Sequence, residues 1–343
     1  MAGNEGEDAV AVRPDRETGP AGAAPDGRAP DGPAPDGATW PPDVPAAPTE
    51  QRNPRTLDID QRSTPEMLRL LNAEDATVAT AVSHALPELA QAVDWVVEAI
   101  RGGGRVHYFG AGTSGRIAVL DAAEVAPTFG LPDGVFVAHQ AGGERALRNS
   151  MEDVEDDVTL GERDAGQVSA NDVAIGITAS GRTPYVAGAL RAARAAGART
   201  VLFSSNPATP LAGLADCHVL TDTGPEAIAG STRLKAGTAH KMALNDMSTA
   251  AMVHLGRTYS NLMVSVDGLN NKLRSRQLSI LQEASGAPAE RCRTELSRCE
   301  GNLRLALLCL LSGQEPGVAA EALLAAGGSV RHALAGLAPE AAR

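Results

Sequence analysis

Short apolar runs and helix-period stretches alternate through the middle of the chain. Val106 to Phe109, Gly134 to Ala138, Val173 to Thr178, Thr200 to Ser204 and His218 to Leu220 have the length and character of buried strands. Apolar residues recur at helical spacing over 115–125, 144–156, 184–196 and 235–255. Strand and helix in turn predict an α/β fold with a doubly wound, mainly parallel sheet, because parallel neighbours need a crossover and a helix supplies it. Such sheets bind ligands outside the carboxyl ends of their strands.

The flanks are helical. Thr64-Pro65-Glu66 is a helix start, and Met67, Leu68, Leu70 and Leu71 give the helix an apolar face. A second helix is predicted from about Thr77 through Leu86 and Leu89 to Ile100, ended by Gly102-Gly103-Gly104. Beyond Val264 the pattern is helical through Ile280 and Leu281, and Ala287 to Leu337 divides into three or four short helices at Gly313, Pro316 and Gly327-Gly328. Residues 1–48 are different material, with Ala-Pro-Asp-Gly written three times between Ala24 and Gly37. Such a segment buries too little apolar surface to offset its ordering entropy, so it is expected to be a disordered tail. The resulting division is a tail (1–48), an N-terminal helical segment (49–95), the sheet domain (96–259), a connecting helix (260–285) and a C-terminal helical module (286–343).

Composition narrows the function. The 343 residues, 43% of them hydrophobic, suffice for a sizeable core, and with only 3% aromatics that core is built of Ala, Val, Leu and Ile. A net charge of -12 argues against non-specific nucleic-acid binding. The densest apolar stretch, Leu303 to Leu311, is too short for a membrane span, and no apolar leader opens the chain, so a cytoplasmic protein is expected. Cys217, Cys292, Cys299 and Cys309 form no Cys-x-x-Cys pair and are expected to be ordinary buried thiols rather than metal ligands.

The chemistry gathers in three hydroxyl-rich turns. The first strand runs into Gly110-Ala-Gly-Thr-Ser-Gly-Arg116 and then directly into a helical pattern. Glycines there permit positive φ and close approach, while Thr113 and Ser114 offer hydroxyls beside free N–H groups, an arrangement suited to an anion and most often a phosphate. Ser180-Gly-Arg-Thr183 repeats the design before Pro184, and the string from Gly224 to Lys241 supplies Ser231, Arg233 and Lys235. Three such turns at one sheet edge imply one polar, phosphorylated ligand. The residues argue against a dinucleotide, because His139-Gln140-Ala141 stands where the second strand would need an acid for the ribose.

The chain closely resembles the sugar isomerase (SIS) domain of the N-acetylmuramic acid 6-phosphate etherases, relatives of the glucokinase regulatory protein. The resemblance spans about Thr49 to Leu337 and is carried by Thr49-Glu-Gln-Arg-Asn53, Gly110 to Arg116, Asp121-Ala-Ala-Glu124, Ala179 to Tyr185, the 224–241 string and Asn261-Leu-Met-Val264. It implies a carbon–oxygen lyase, working without cofactor or metal, that cleaves the D-lactyl ether of N-acetylmuramate 6-phosphate to N-acetylglucosamine 6-phosphate and D-lactate. Elimination across C2–C3 would precede water addition, in amino-sugar catabolism and peptidoglycan recycling. The resemblance makes Glu124 the acid for departing lactate and Glu155 the base at C2. It also implies a homodimer, while the turns themselves offer Thr113, Ser114, Ser180 and Thr183 as phosphate ligands, with Ser231 from the 224–241 string and Lys235 as a candidate substrate cation.

Two points come from the residues themselves. Glu124, before Ala126-Pro127, is expected in the last turn of its helix, where the dipole disfavours a carboxylate; such a local cost marks function. Lys235 and Arg233 suit the phosphate or the lactyl carboxylate, or else support the loop through buried ion pairs. Two other functions are consistent with the turns: a non-catalytic sugar-phosphate-sensing regulator, and an aldose–ketose isomerase.

Overall fold

The computed structural model describes residues 47–151, 153–266 and 271–337. Apart from Ala47 and Pro48, the expected tail lies outside these. Helix α1 (Thr64–Asp75) opens on a capping box between Ser63 and Glu66, the Ser63 N–H donating to the Glu66 carboxylate at 3.0 Å. The second predicted helix is two, α2 (Val78–His84) and α3 (Leu86–Arg101). Pro87 explains the break, since it lacks the N–H that a continuous helix needs and clashes with the turn before it.

The predicted alternation follows. Strands β1 (Val106–Gly110), β2 (Phe136–Gln140), β3 (Val173–Thr178), β4 (Arg199–Ser204) and β5 (Cys217–Leu220) form one parallel sheet in the order β2-β1-β3-β4-β5. The order reverses at β1 and β3, so the loops after these two strands part over a crevice. Gly110 is in register with Ile177, which makes the first and second hydroxyl turns neighbours.

Helices cover the sheet: α4 (Gly112–Phe129), α5 (Gly143–Arg148), α6 (Val158–Asp164), α7 (Pro184–Ala195) and α8 (Lys235–His254). Two differ from expectation. The helix expected over 144–156 ends at Arg148, and residues 149–151 and 153–157 are not helical. Asp153, Glu155, Asp156 and Asp157 would repel along a helix, and Asp157 instead caps α6 by accepting the Leu160 N–H at 2.9 Å. Helix α4 runs past Pro127 to Phe129, whose ring is buried, and Gly130 ends it at φ 60°.

One core packs α2, α3, α4 and α8 against the sheet through Val82, Val96, Tyr108, Phe203 and Met247, so the N-terminal helices share the sheet's core. The other face is covered by α7, through Tyr185, Val186 and Leu190. A small hairpin of β6 (Thr258–Tyr259) and β7 (Leu262–Met263), unforeseen from the pattern, precedes α9 (Asn271–Ser285). Then come α10 (Ala289–Arg298), α11 (Leu303–Ser312), α12 (Pro316–Ala325) and α13 (Val330–Leu337), four short helices where three or four were expected. They share a separate core built on Leu281, Leu303, Leu307 and Val330. Among the described residues no helix is long and apolar enough to cross a membrane.

Candidate functional site

The first turn is shaped by contact. A Cβ on Gly110 would lie 2.7 Å from the Gly115 nitrogen, and one on Gly115 would lie 2.0 Å from Gln140 Oε1 and 2.5 Å from the Gly110 oxygen. Only glycine permits β1 and α4 to approach so closely. The helix therefore begins at Gly112, earlier than the pattern suggested, and no side chain caps it. Thr113 and Ser114, both half-buried, occupy its first turn, where unpaired N–H groups and the helix dipole favour an anion.

The second turn is equally constrained. Gly181 adopts φ 67°, and Thr209 Oγ1 donates to its carbonyl at 2.6 Å. Asn206 Nδ2 donates to the Ser180 carbonyl at 2.8 Å, and the Thr178 and Thr183 hydroxyls lie 2.8 Å apart. Glu155 stands at the same edge: its carbonyl accepts the N–H of Tyr185, in the first turn of α7, at 3.0 Å, and its side chain is exposed. Arg116 ties the acidic loop to α4 by donating to the carbonyls of Ala146 at 2.8 Å, Leu147 at 3.0 Å and Asn149 at 3.1 Å.

The third turn is built differently. A Cβ on Gly237 would lie 3.3 Å from Cγ2 of Thr113, so the starts of α8 and α4 touch, and half-buried Ser231 lies just before that contact. The N-terminus of α8 is already filled: the Glu226 carboxylate accepts the N–H groups of Lys235 and Ala236, each at 2.9 Å. Burial raises the Glu226 carboxyl above its ordinary range, and those two donors pull it back. Lys235 is fully buried, with its ammonium 2.7 Å from Glu74. Of the two arrangements open to Lys235, the loop-supporting ion pair is the one observed. Arg233 is exposed and makes no ion pair among the described residues. Glu74 carried no motif that pattern reading singles out, and Glu226, though inside the 224–241 string, was not singled out within it.

Glu124 is exposed on α4, but not in its last turn, because the helix continues to Phe129. The dipole argument for this residue therefore fails. Ten residues separate it from Ser114, about 15 Å along a helix that runs away from the strand ends. One turn earlier, buried Asp121 accepts from Tyr108 Oη at 2.9 Å, Asn245 Nδ2 at 2.7 Å and Ser248 Oγ at 3.0 Å, locking α4 to β1 and α8. Burial raises the Asp121 carboxyl against the lowering effect of these donors.

His107 and His240 are core groups. His107 is buried, its Nδ1 3.1 Å from His139 Nε2, and burial drives His139 down to about 4. His240, wholly buried, is also lowered to about 4 by desolvation. All four cysteines are free and buried. Glu295, Cys299 and Cys309 form the only group among the described residues with metal-ligand spacing. The two sulfurs lie 3.9 Å apart, and Arg298 donates to Glu295 at 3.1 Å.

The fold is that of a sugar isomerase (SIS) domain protein, a parallel sheet with hydroxyl-rich turns at its switch point. The chain matches the glucokinase regulatory protein N-terminal SIS domain over residues 88–194 and the SIS domain over residues 145–247. It is 57% identical over 274 residues to an N-acetylmuramic acid 6-phosphate etherase of Thermobifida fusca, covering 80% of this chain and 90% of that one. With the etherase of that name from Brucella anthropi it shares 46% identity over 288 residues, covering 83% and 94%. The chain belongs to the N-acetylmuramic acid 6-phosphate etherase family. A phosphoheptose isomerase structure from Francisella tularensis aligns with a TM-score of 0.42 and 18% identity, over 54% of this chain and 98% of that one.

Proposed function

We propose that the protein is an N-acetylmuramic acid 6-phosphate etherase, releasing D-lactate and N-acetylglucosamine 6-phosphate. The observation that carries this reading is the uncapped N-terminus of α4, with Thr113 and Ser114 in its first turn, facing the Ser180–Thr183 turn across the sheet's switch point. The sugar's phosphate is bound there by Thr113, Ser114, Ser180 and Thr183, with Ser231 beside them. Arg233, rather than Lys235, is the third turn's cation for the substrate's second anion, since Lys235 is held by Glu74.

In the open-chain sugar the C1 aldehyde acidifies the C2 proton. Glu155, beside the start of α7, takes that proton; the C3–O bond breaks and Glu124 protonates the departing lactyl oxygen. Water then adds at C3 and a proton returns to C2. Glu124 is about 15 Å along α4 from Ser114 and on the far side from the strand ends, so we assign the acid role to the partner subunit's Glu124 in a homodimer. Leu120, 49% exposed one turn from Glu124, supplies apolar surface for that pairing. The substrate class suits a cytoplasmic enzyme of amino-sugar catabolism and peptidoglycan recycling.

The test is incubation with N-acetylmuramate 6-phosphate in ¹⁸O-water. Unlabelled D-lactate with ¹⁸O at C3 of the amino sugar supports elimination and hydration. Sugar-phosphate binding without lactate release would reject the etherase and favour a sensor.

A further inference from the structure

Glu74, at the end of α1, is 3% exposed and gathers donors from two distant stretches of chain. Asn53 Nδ2 and Arg55 Nη2 donate to its Oε2 at 2.8 Å each, Lys235 Nζ donates to the same oxygen at 2.7 Å, and Arg55 Nε donates to Oε1. Three further links join the same stretches: the Gly230 N–H to the Thr49 carbonyl at 2.9 Å, the Thr56 hydroxyl to the Ala227 carbonyl at 2.8 Å, and Asn53 Nδ2 to the Pro225 carbonyl at 3.3 Å. Glu226 closes the arrangement from the other side through the first N–H groups of α8.

The energetics make this more than a cluster of contacts. A buried ammonium is tolerated only beside a compensating charge, and removing one partner leaves the other stranded. Slipping the 225–236 stretch by one residue would carry Lys235 off Glu74 and strip α8 of its cap, so the charges specify a single register. That register brings Gly237 against Thr113.

We propose that Glu74 and Glu226 are positioning residues, latching residues 49–56 onto 225–236 and so holding Ser231 and Arg233 against the first turn of α4. The proposal rests on the sugar-phosphate reading of that site. It explains why the Thr49-Glu-Gln-Arg-Asn53 string, far from the strand ends in sequence, lies beside the third turn. It gives Lys235 a role that needs no contact with substrate.

The test is Glu74→Gln in the full chain, which preserves shape and removes the charge. Two readouts are taken well below the unfolding temperature. The first is amide hydrogen exchange over residues 226–236, which does not depend on what the protein binds. The second is KM and kcat for N-acetylmuramate 6-phosphate. The latch predicts exchange about tenfold faster over 226–236 with β1 and β3 unchanged, and KM raised about tenfold with kcat within about threefold. A lowered Tm with exchange and KM both unchanged would overturn it. Should wild type show no turnover, the activity reading fails and the exchange measurement alone decides the latch. If Glu74→Gln does not fold, Asn53→Ala and Thr56→Val, which each cut one arm, are expected to shift exchange in the same direction by about threefold; no shift overturns the proposal.

Discussion

Mixing two inactive variants distinguishes a shared site from a self-contained one. Glu155 precedes α6 and sits beside the start of α7, its carbonyl accepting the Tyr185 N–H, whereas Glu124 is ten residues beyond Ser114 on α4, about 15 Å back along that helix. Loss of either proton-transfer group is expected to cost about 10²–10⁴ in rate, so Glu124→Gln and Glu155→Gln homodimers are each nearly silent. Both carboxylates are exposed, so neither change is expected to shift stability by more than about 0.5 kcal/mol. When equal amounts of the two chains are co-refolded, about half the dimers are mixed. If each site takes Glu155 from one chain and Glu124 from the other, every mixed dimer has one intact site and one lacking both residues. About a quarter of wild-type activity should return, measured as D-lactate release with the mixed dimer quantified by native mass spectrometry. If both residues act from the same chain, each site in the mixture lacks one of them and activity stays at the homodimer level. That result, with mixed dimers present, would refute the cross-subunit assignment, as would a monomer that retains full activity.

Gly115→Ala is expected to cost about 1–3 kcal/mol in a denaturant melt and to abolish sugar-phosphate binding, because its Cβ would meet the Gly110 carbonyl at 2.5 Å, a backbone atom that cannot swing aside. Acid melts should separate two windows. Glu74, lowered to about 2 chiefly by the Arg55 hydrogen bond, contributes stability present above the ordinary carboxyl range and lost as pH falls toward 2, so the difference between wild type and Glu74→Gln should shrink in that interval. His240, lowered to about 4 by burial, resists protonation; wild type should lose stability from pH about 6.5 down to 4, and His240→Gln should flatten that slope. A thiol titration should find Cys309 unreactive in the native protein, since burial pushes it up to about 12, and fully reactive after unfolding.

Much of the architecture was legible because it is written in periodicity. The five strands were located by short apolar runs flanked by helical spacing, and buried parallel strands need nothing subtler. The first two turns were legible for a related reason: β1 and α4 can meet at Gly110 and Gly115 only if both lack a Cβ, so the requirement appears as residue identity. Local rules misled where charge or proline competed with pattern. The helix expected over 144–156 stops at Arg148, because repulsion among Asp153, Glu155 and Asp156 and the Asp157 cap of α6 work against it. Pro127 was taken to end α4, yet burial of Phe129 carries the helix past it.

Long-range pairing belongs to the tertiary structure alone. Nothing near Lys235 in sequence announces that its charge is met by Glu74, 161 residues away, or that the cap of α8 is Glu226 rather than a bound anion. The sequence by itself determined the five strands and most of the helices, since these follow from neighbours within a few positions. Which charges are neutralised inside the protein, and which remain for a ligand, was decided only when the fold brought residues 49–56, 74 and 225–236 together. Whether a charge is buried, and what compensates it, depends on neighbours that the chain supplies from far away.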